Sequence, residues 1–181
     1  NIYLKESFGR TLSKPITISK NIPEFDTSSM DGFAVKKSSL GKIGNFTVVG
    51  ETPAGAKSCF TIKPNECVKV YTGSRMPKNA DFVVIQENTW SQGNFMYVND
   101  YDKKSSYVRK TGVDFKKGQI ISNPMFIDFK LISALASLNL EKVSVIKKPK
   151  VCIIPTGNEI LALGSKAKKN SIYSSSPYGI K

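Results

Sequence analysis

Ile22-Pro23, Asp31-Gly32, Gly41, Pro53-Ala54-Gly55, Pro64-Asn65, Thr72-Gly73, Gly93-Asn94 and Lys117-Gly118 divide much of the chain into short apolar runs. Gly, Pro and Asn at that density favour strands joined by turns. The runs at 46–49 (Phe-Thr-Val-Val), 67–71 (Cys-Val-Lys-Val-Tyr), 82–86 (Phe-Val-Val-Ile-Gln) and 95–98 (Phe-Met-Tyr-Val) carry the β-branched and aromatic residues that suit a pleated surface. Strands are expected there, and the body of the chain is expected to be β-rich.

One stretch follows a different period. Leu131, Ile132, Leu135 and Leu138 recur at helical spacing behind Asp128, which has the side chain of an N-cap. Asn139 stands where a left-handed residue closes a helix, and Val143, Val145 and Ile146 indicate a return to strand. Lys147-Lys148-Pro149-Lys150 then forms a polar break, followed by the apolar run Val151-Cys152-Ile153-Ile154 and the turn Pro155-Thr156-Gly157. Such a run suits a strand covered on both faces, as in a parallel α/β sheet, with ligands at its C-terminal end. A second domain is expected to start here. A parallel sheet needs several crossover units, so that domain is expected to be truncated.

The 181 residues are 40% hydrophobic and 23% charged, an ordinary globular balance with room for one domain or two small ones. There is no run of about 18 apolar residues, and the N-terminus does not read as a secretory signal, so a cytoplasmic protein without a membrane span is expected. Cys59, Cys67 and Cys152 are odd in number and widely spaced, which points to reduced, packed thiols rather than to disulfides or a zinc site. The chain has no histidine, which excludes Ser-His-Asp catalysis, His-ligated zinc and imidazole bases within this chain. Magnesium held by carboxylate and substrate phosphate remains compatible with the groups present.

A formal charge of +13 favours anionic partners: nucleic acid, anionic membrane or phosphorylated small molecules. Of the 27 basic residues only Arg10, Arg75 and Arg109 are arginine, and pairs such as Lys36-Lys37 and Lys116-Lys117 are scattered as solvated faces are. A nucleic-acid module would gather arginine and aromatic residues on one sheet face, whereas here both are dispersed, so no nucleic-acid partner is expected.

Several segments concentrate small, polar and acidic residues. The first is Pro23-Glu24-Phe25-Asp26-Thr27-Ser28-Ser29-Met30-Asp31-Gly32-Phe33-Ala34-Val35. Next come Gly50-Glu51-Thr52-Pro53-Ala54-Gly55, Val70-Tyr71-Thr72-Gly73-Ser74-Arg75-Met76-Pro77 and Val108-Arg109-Lys110-Thr111-Gly112-Val113-Asp114, then Pro155-Thr156-Gly157-Asn158-Glu159-Ile160. By their side chains alone these have two readings each. Asp31 before a glycine is either a carboxylate presented to a metal or phosphate-bound magnesium, or an Asp-Gly turn satisfying its own backbone. Thr72-Gly73 offers a hydroxyl and an unobstructed N–H to an oxyanion, or is a plain turn. Asp114 near Arg109 and Lys110 reads as a surface ion pair. Glu159 after Thr156-Gly157 is either a ligand-facing carboxylate at a strand end or a helix cap.

In order and spacing, these segments and Phe8-Gly9-Arg10-Thr11-Leu12 resemble the MoeA and gephyrin E-domain family of molybdopterin molybdenumtransferases over nearly the whole chain. The resemblance implies an α+β, β-rich fold: an irregular two-part N-terminal region of the MoeA type, then the first strand of an incomplete α/β molybdopterin-binding domain. It places 1–22 with 116–148 in a discontinuous domain, 23–115 in an inserted β-rich domain, and 149–181 at the start of the molybdopterin-binding domain. It implies insertion of molybdate into adenylylated molybdopterin with release of AMP, using Mg2+. In that reading Asp31, Thr72, Asp114 and Glu159 are catalytic, with Asp31 and Glu159 as magnesium ligands. Ser28, Gly73, Arg109, Thr156 and Gly157 then bind substrate.

Family members are elongated homodimers, so Asp31, Thr72 and Asp114 of one subunit are expected to face Glu159 of the partner subunit. Other molybdenum-cofactor biosynthesis proteins are expected partners, and a fragment of this extent is expected to be inactive alone. Two departures stand out. Asn158 replaces the Asp usual in the family turn, which removes a negative charge beside Glu159, and Ser174-Ser175-Ser176 lie where Asp and Asn are general. A non-catalytic dimerisation or scaffold module is the alternative reading.

Overall fold

The computed structural model describes residues 1–57 and 60–180, so Cys59 lies outside the described residues. The chain forms two compact units, residues 1–145 and 146–181. In the first, the strands are β1 (Ile2–Tyr3), β2 (Ile16–Thr17), β3 (Thr27–Ser28), β4 (Gly32–Val35), β5 (Phe46–Thr52), β6 (Glu66–Val70) and β7 (Phe82–Ile85). They continue with β8 (Thr89–Gln92), β9 (Phe95–Val98), β10 (Val108–Arg109) and β11 (Ile120–Ile121), then helix α1 (Phe129–Ser137) and β12 (Lys142–Val143). The strands expected at 46–49, 67–71, 82–86 and 95–98 correspond to β5, β6, β7 and β9. No described helix is long and apolar enough to cross a membrane.

A six-stranded sheet in the order β7-β4-β6-β5-β9-β8 organises the unit, with β5 and β6 parallel and the other neighbours antiparallel. Strand β4 was not anticipated as a strand. Gly32 and Ala34 dilute the strand preference of Phe33 and Val35, but all four residues are buried and both edges are paired, to β6 and to β7. Tertiary burial overrides local preference there. The β8–β9 hairpin turns at Gly93-Asn94 and is reinforced by Trp90 stacked on Tyr97 at 4.0 Å between ring centroids.

Strand alternation gives this sheet a core on each face. Phe33, Val35, Cys67, Phe82 and Val84 project to one side, where they join Leu40, Phe46 and Met96. Ala34, Val68, Val70 and Val83 project to the other, with Ile62 and Met76. Burial raises the Cys67 thiol to about 12, so it is held as an inert packed group, as expected. Cys152 corrects that expectation: it is exposed.

A separate core joins the two ends of the unit. The pairs β1–β12 and β2–β11 bring the first residues against 120–143, and Leu4, Leu12, Ile18, Ile121, Ile127, Leu135 and Val143 close together. Helix α1 covers this core with Leu135, flanked by Leu131, Ile132 and Leu138. Asp128 caps it by accepting from the Leu131 N–H at 2.8 Å, and Asn139 takes the left-handed conformation at φ 59°. Asp128→Ala is expected to reduce stability by about 0.5–2 kcal/mol, the range for losing an N-cap, as read from urea unfolding of the full-length protein.

In the second unit, β13 (Ile160–Leu161) pairs in parallel with β14 (Ile172–Tyr173), and a short helix, α2 (Ser176–Ile180), follows. The strand expected at Val151–Ile154 is absent. These residues form no ladder with any described strand, and Val151 and Ile154 are 72% and 75% exposed. An apolar run becomes a doubly covered strand only when neighbours supply hydrogen bonds and cover on both faces, and no described element does so.

Candidate functional site

Asp31 is positioned by the glycine that follows it. A Cβ on Gly32 would sit 2.1 Å from the Val84 carbonyl oxygen, so only glycine allows β4 to lie this close to β7. The Asp31 carbonyl accepts from the Gln86 N–H at 3.0 Å, which fixes the entry to β4 beside the end of β6. There the chain turns through Tyr71-Thr72-Gly73-Ser74. The Tyr71 N–H donates to Ser74 Oγ at 2.9 Å, Ser74 Oγ donates to the Thr52 carbonyl at 2.7 Å, and Gly73 adopts φ +84°.

This turn presents Thr72 to Asp31. The Thr72 N–H and hydroxyl both donate to Asp31 Oδ1, at 2.7 and 2.9 Å. The N–H bond, then the hydroxyl bond, with a further contribution from the charge on Lys69, hold the Asp31 carboxyl below its usual range. The carboxylate is thus ionised and pinned.

The same contacts correct the reading of Thr72-Gly73 as a pair of free oxyanion donors. The Thr72 N–H is committed to Asp31, and the Gly73 N–H donates to the Ser28 carbonyl at 2.8 Å. Ser28, expected to face substrate, is 2% exposed, and its hydroxyl turns inward to donate to the Met30 carbonyl at 2.5 Å. The N–H groups have been drawn into holding the two motifs together.

The basic loop is joined to the first motif by β10, which pairs Val108 with Ser28 and Arg109 with Thr27. Arg109 Nη2 donates to both oxygens of Asp114, at 2.7 and 2.5 Å, which raises the guanidinium pKa. The ion pair read from the spacing of these residues is present, and both are exposed side chains. Asp26 was not singled out from the sequence. Its carboxylate accepts from the Thr111 N–H and from Lys110 Nζ, each at 2.8 Å. Partial burial pushes Asp26 upward, but Lys110 and Thr111 together pull it below the usual carboxylate range. Asp26 thus pins the loop that carries Arg109 and Asp114.

In the second unit, Gly157 has φ +149°, and its carbonyl accepts from the Ile160 N–H at 3.2 Å. The Glu159 carboxylate folds back over it: a Cβ on Gly157 would meet both carboxylate oxygens at 2.7 Å. The Thr156-Gly157-Glu159 turn is therefore a tight local arrangement, with its backbone joined to β14 by the Ile172 N–H donating to the Glu159 carbonyl at 2.8 Å. Among the described residues, no group of three or more His, Cys, Asp or Glu side chains is placed to hold a metal ion. A single fixed carboxylate such as Asp31 fits magnesium only in the mode where substrate phosphate supplies the other oxygens.

Comparison with known proteins shows the family and the fold. The family described as the MoeA N-terminal region (domain I and II) matches residues 1–139. Molybdopterin molybdenumtransferase of Nostoc sp. is 30% identical over 178 residues, which cover 95% of this chain and 41% of the relative. The Staphylococcus epidermidis protein of that name is 33% identical over 181 residues, 97% of this chain and 43% of its own length. The crystal structure of the molybdopterin biosynthesis moeA protein from Pyrococcus horikoshii OT3 superposes with a TM-score of 0.87 at 28% identity, covering 99% of this chain and 49% of that one. The chain spans less than half the length of these relatives. With the family matched across most of its residues and the β-rich fold shared with the Pyrococcus protein, the chain belongs to the MoeA N-terminal region family.

Proposed function

We propose that this chain is part of a molybdopterin molybdenumtransferase, which inserts molybdate into adenylylated molybdopterin with release of AMP. The observation that carries the reading is the Asp31–Thr72 pair: a carboxylate held ionised by two hydrogen bonds at the meeting point of two of the family-like motifs. The Asp31 carboxylate is held by a turn distant in sequence and not by its own backbone.

Thr72 orients the carboxylate, and Gly32 sets its position against the sheet. Asp31 in turn keeps a negative charge at a defined point without rearrangement during reaction. Magnesium, when bound by Asp31 and substrate phosphate, would neutralise charge as the phosphoanhydride linkage breaks. Arg109 and Asp114 belong to the adjoining loop in this reading, and Thr156, Gly157 and Glu159 serve the same reaction. The full protein acts in the cytoplasm as a homodimer.

Molybdate-dependent AMP release by the full-length protein tests the proposal. Asp31→Asn is expected to lower the rate by about a hundredfold or more, the scale for removing one preorganised electrostatic group. A folded Asp31→Asn protein with wild-type turnover removes Asp31 from the mechanism. A folded wild-type protein that releases no AMP overturns the proposed reaction.

A further inference from the structure

Within β6, Cys67, Val68 and Val70 are buried, while Lys69 between them is half-exposed on the face that carries Phe33. It lies opposite Phe33 on β4 and opposite Glu51 on β5. The second pairing depends on an irregularity. The β5–β6 register shifts between Val48 and Gly50. Without that shift Glu51 would align with Val70, and its side chain would point into the face that buries Val68 and Val70. The bulge turns Glu51 to the Lys69 side and leaves Gly50 beneath the ring of Phe60, where a Cβ would lie 2.3 Å from the ring.

Two further contacts define this margin of the sheet. The Tyr71 hydroxyl donates to Glu51 Oε1 at 2.8 Å, and Lys69 Nζ lies 5.4 Å from the centroid of the Tyr71 ring. Tyr71 first, then Glu51 and Asp31, favour the charged form of Lys69. No described carboxylate forms a close ion pair with it. A cleft of about 470 Å3 opens here, lined by Phe33, Gly50, Glu51, Lys69, Ser91 and Asn94 among others.

An anion entering this cleft meets the negative charge of Glu51, and Lys69 is the cation on the same lining. We propose that Lys69 is a substrate-binding residue whose ammonium takes a tetrahedral oxyanion, phosphate or molybdate, at the margin of the sheet that carries the Asp31–Thr72 pair. This inference rests on the molybdenum-transfer reading above. Tyr71 supports the ammonium with its ring and donates its hydroxyl to one Glu51 oxygen.

The test is steady-state AMP release by the full-length wild type, Lys69→Met and Lys69→Arg, with KM measured separately for molybdate and for adenylylated molybdopterin. Lys69→Met is expected to raise one KM about tenfold, the effect of one lost charge-assisted hydrogen bond, with kcat changed far less and Lys69→Arg recovering most of the loss. A higher KM for adenylylated molybdopterin identifies phosphate as the group bound, and a higher KM for molybdate identifies the oxoanion. Unchanged KM values, or a loss in kcat alone, overturn the inference, and Lys69→Gln replaces Lys69→Met if the latter does not fold. If the wild type releases no AMP, the reaction reading fails by itself. Calorimetric titration of inorganic phosphate and of molybdate into wild type and Lys69→Met then decides the role of Lys69: equal binding by both proteins refutes it, and weaker binding by the variant upholds it.

Discussion

Phe82→Ala is expected to lower the stability of the full-length protein's sheet unit by about 3–5 kcal/mol, the range for emptying a large aromatic site in a packed core. Phe82 is fully buried in the core that includes Phe33, Val35, Phe46 and Met96, and its ring meets Tyr101 edge-on at 5.9 Å between centroids. It sits on β7, which is paired to β4 within the sheet, and Lys37 Nζ lies 5.4 Å from the centroid of its ring. The loss is a large share of the roughly 5–15 kcal/mol by which ordinary domains are stable. A guanidinium unfolding curve checks it. A shift worth less than about 1 kcal/mol would mean that the surrounding side chains collapse onto the cavity, contrary to the packing described here.

Gly32→Ala is the second large effect, and its sign is diagnostic. Strand propensity alone favours alanine over glycine by about 0.5–1 kcal/mol. Close approach says the opposite. The added Cβ would lie 2.1 Å from the Val84 oxygen and 2.9 Å from the Ile85 Cα, and these are backbone atoms with no rotamer to relieve the overlap. Strand β4 would have to part from β7, disturbing the Gly32↔Ile85 pairing and the bond from the Gln86 N–H to the Asp31 carbonyl. A destabilisation of about 3 kcal/mol or more is expected, at the upper end for overpacking. Gly44→Ala is the control: no atom lies within 4 Å of its Cβ position, so its thermal midpoint should barely move. Equal midpoints for the two variants would show that β4 shifts at little cost, and would undercut the placement of Asp31.

Local chemistry explains which elements were legible before the fold was seen. The Asp128 cap, the helical spacing of Leu131, Ile132 and Leu135, and the left-handed Asn139 all act within a few residues of each other, and α1 forms where they indicate. The runs that became β5, β6, β7 and β9 carry β-branched and aromatic side chains, and they too were readable. Strand β4 and the run Val151–Ile154 show the limit. Gly-Phe-Ala-Val has a mixed strand preference yet forms an inner strand because both edges are paired, whereas Val-Cys-Ile-Ile has strong preference yet forms no strand because no described neighbour pairs with it. Propensity ranks candidates, and pairing decides among them.

The candidate site divides the same way. Its motifs stand in the sequence, and with no histidine among these 181 residues the groups this chain itself can contribute are carboxylates, hydroxyls, amines and backbone. The Arg109–Asp114 pair, five residues apart, was readable from spacing. The bond between Asp31 and Thr72 joins residues 41 apart, and the loop contact between Asp26 and Thr111 joins residues 85 apart. Neither leaves a local pattern. The side on which Glu51 emerges depends on a bulge whose register is set against a neighbouring strand, and this is why Lys69 looked like an ordinary strand residue until Glu51, Tyr71 and Asp31 were seen around it. Short-range periodicity and turn chemistry act along the chain and were determined by the sequence alone. Which N–H groups are committed, which carboxylate is pinned and which lysine faces the cleft were decided by hydrogen bonds and packing that exist only once distant segments meet.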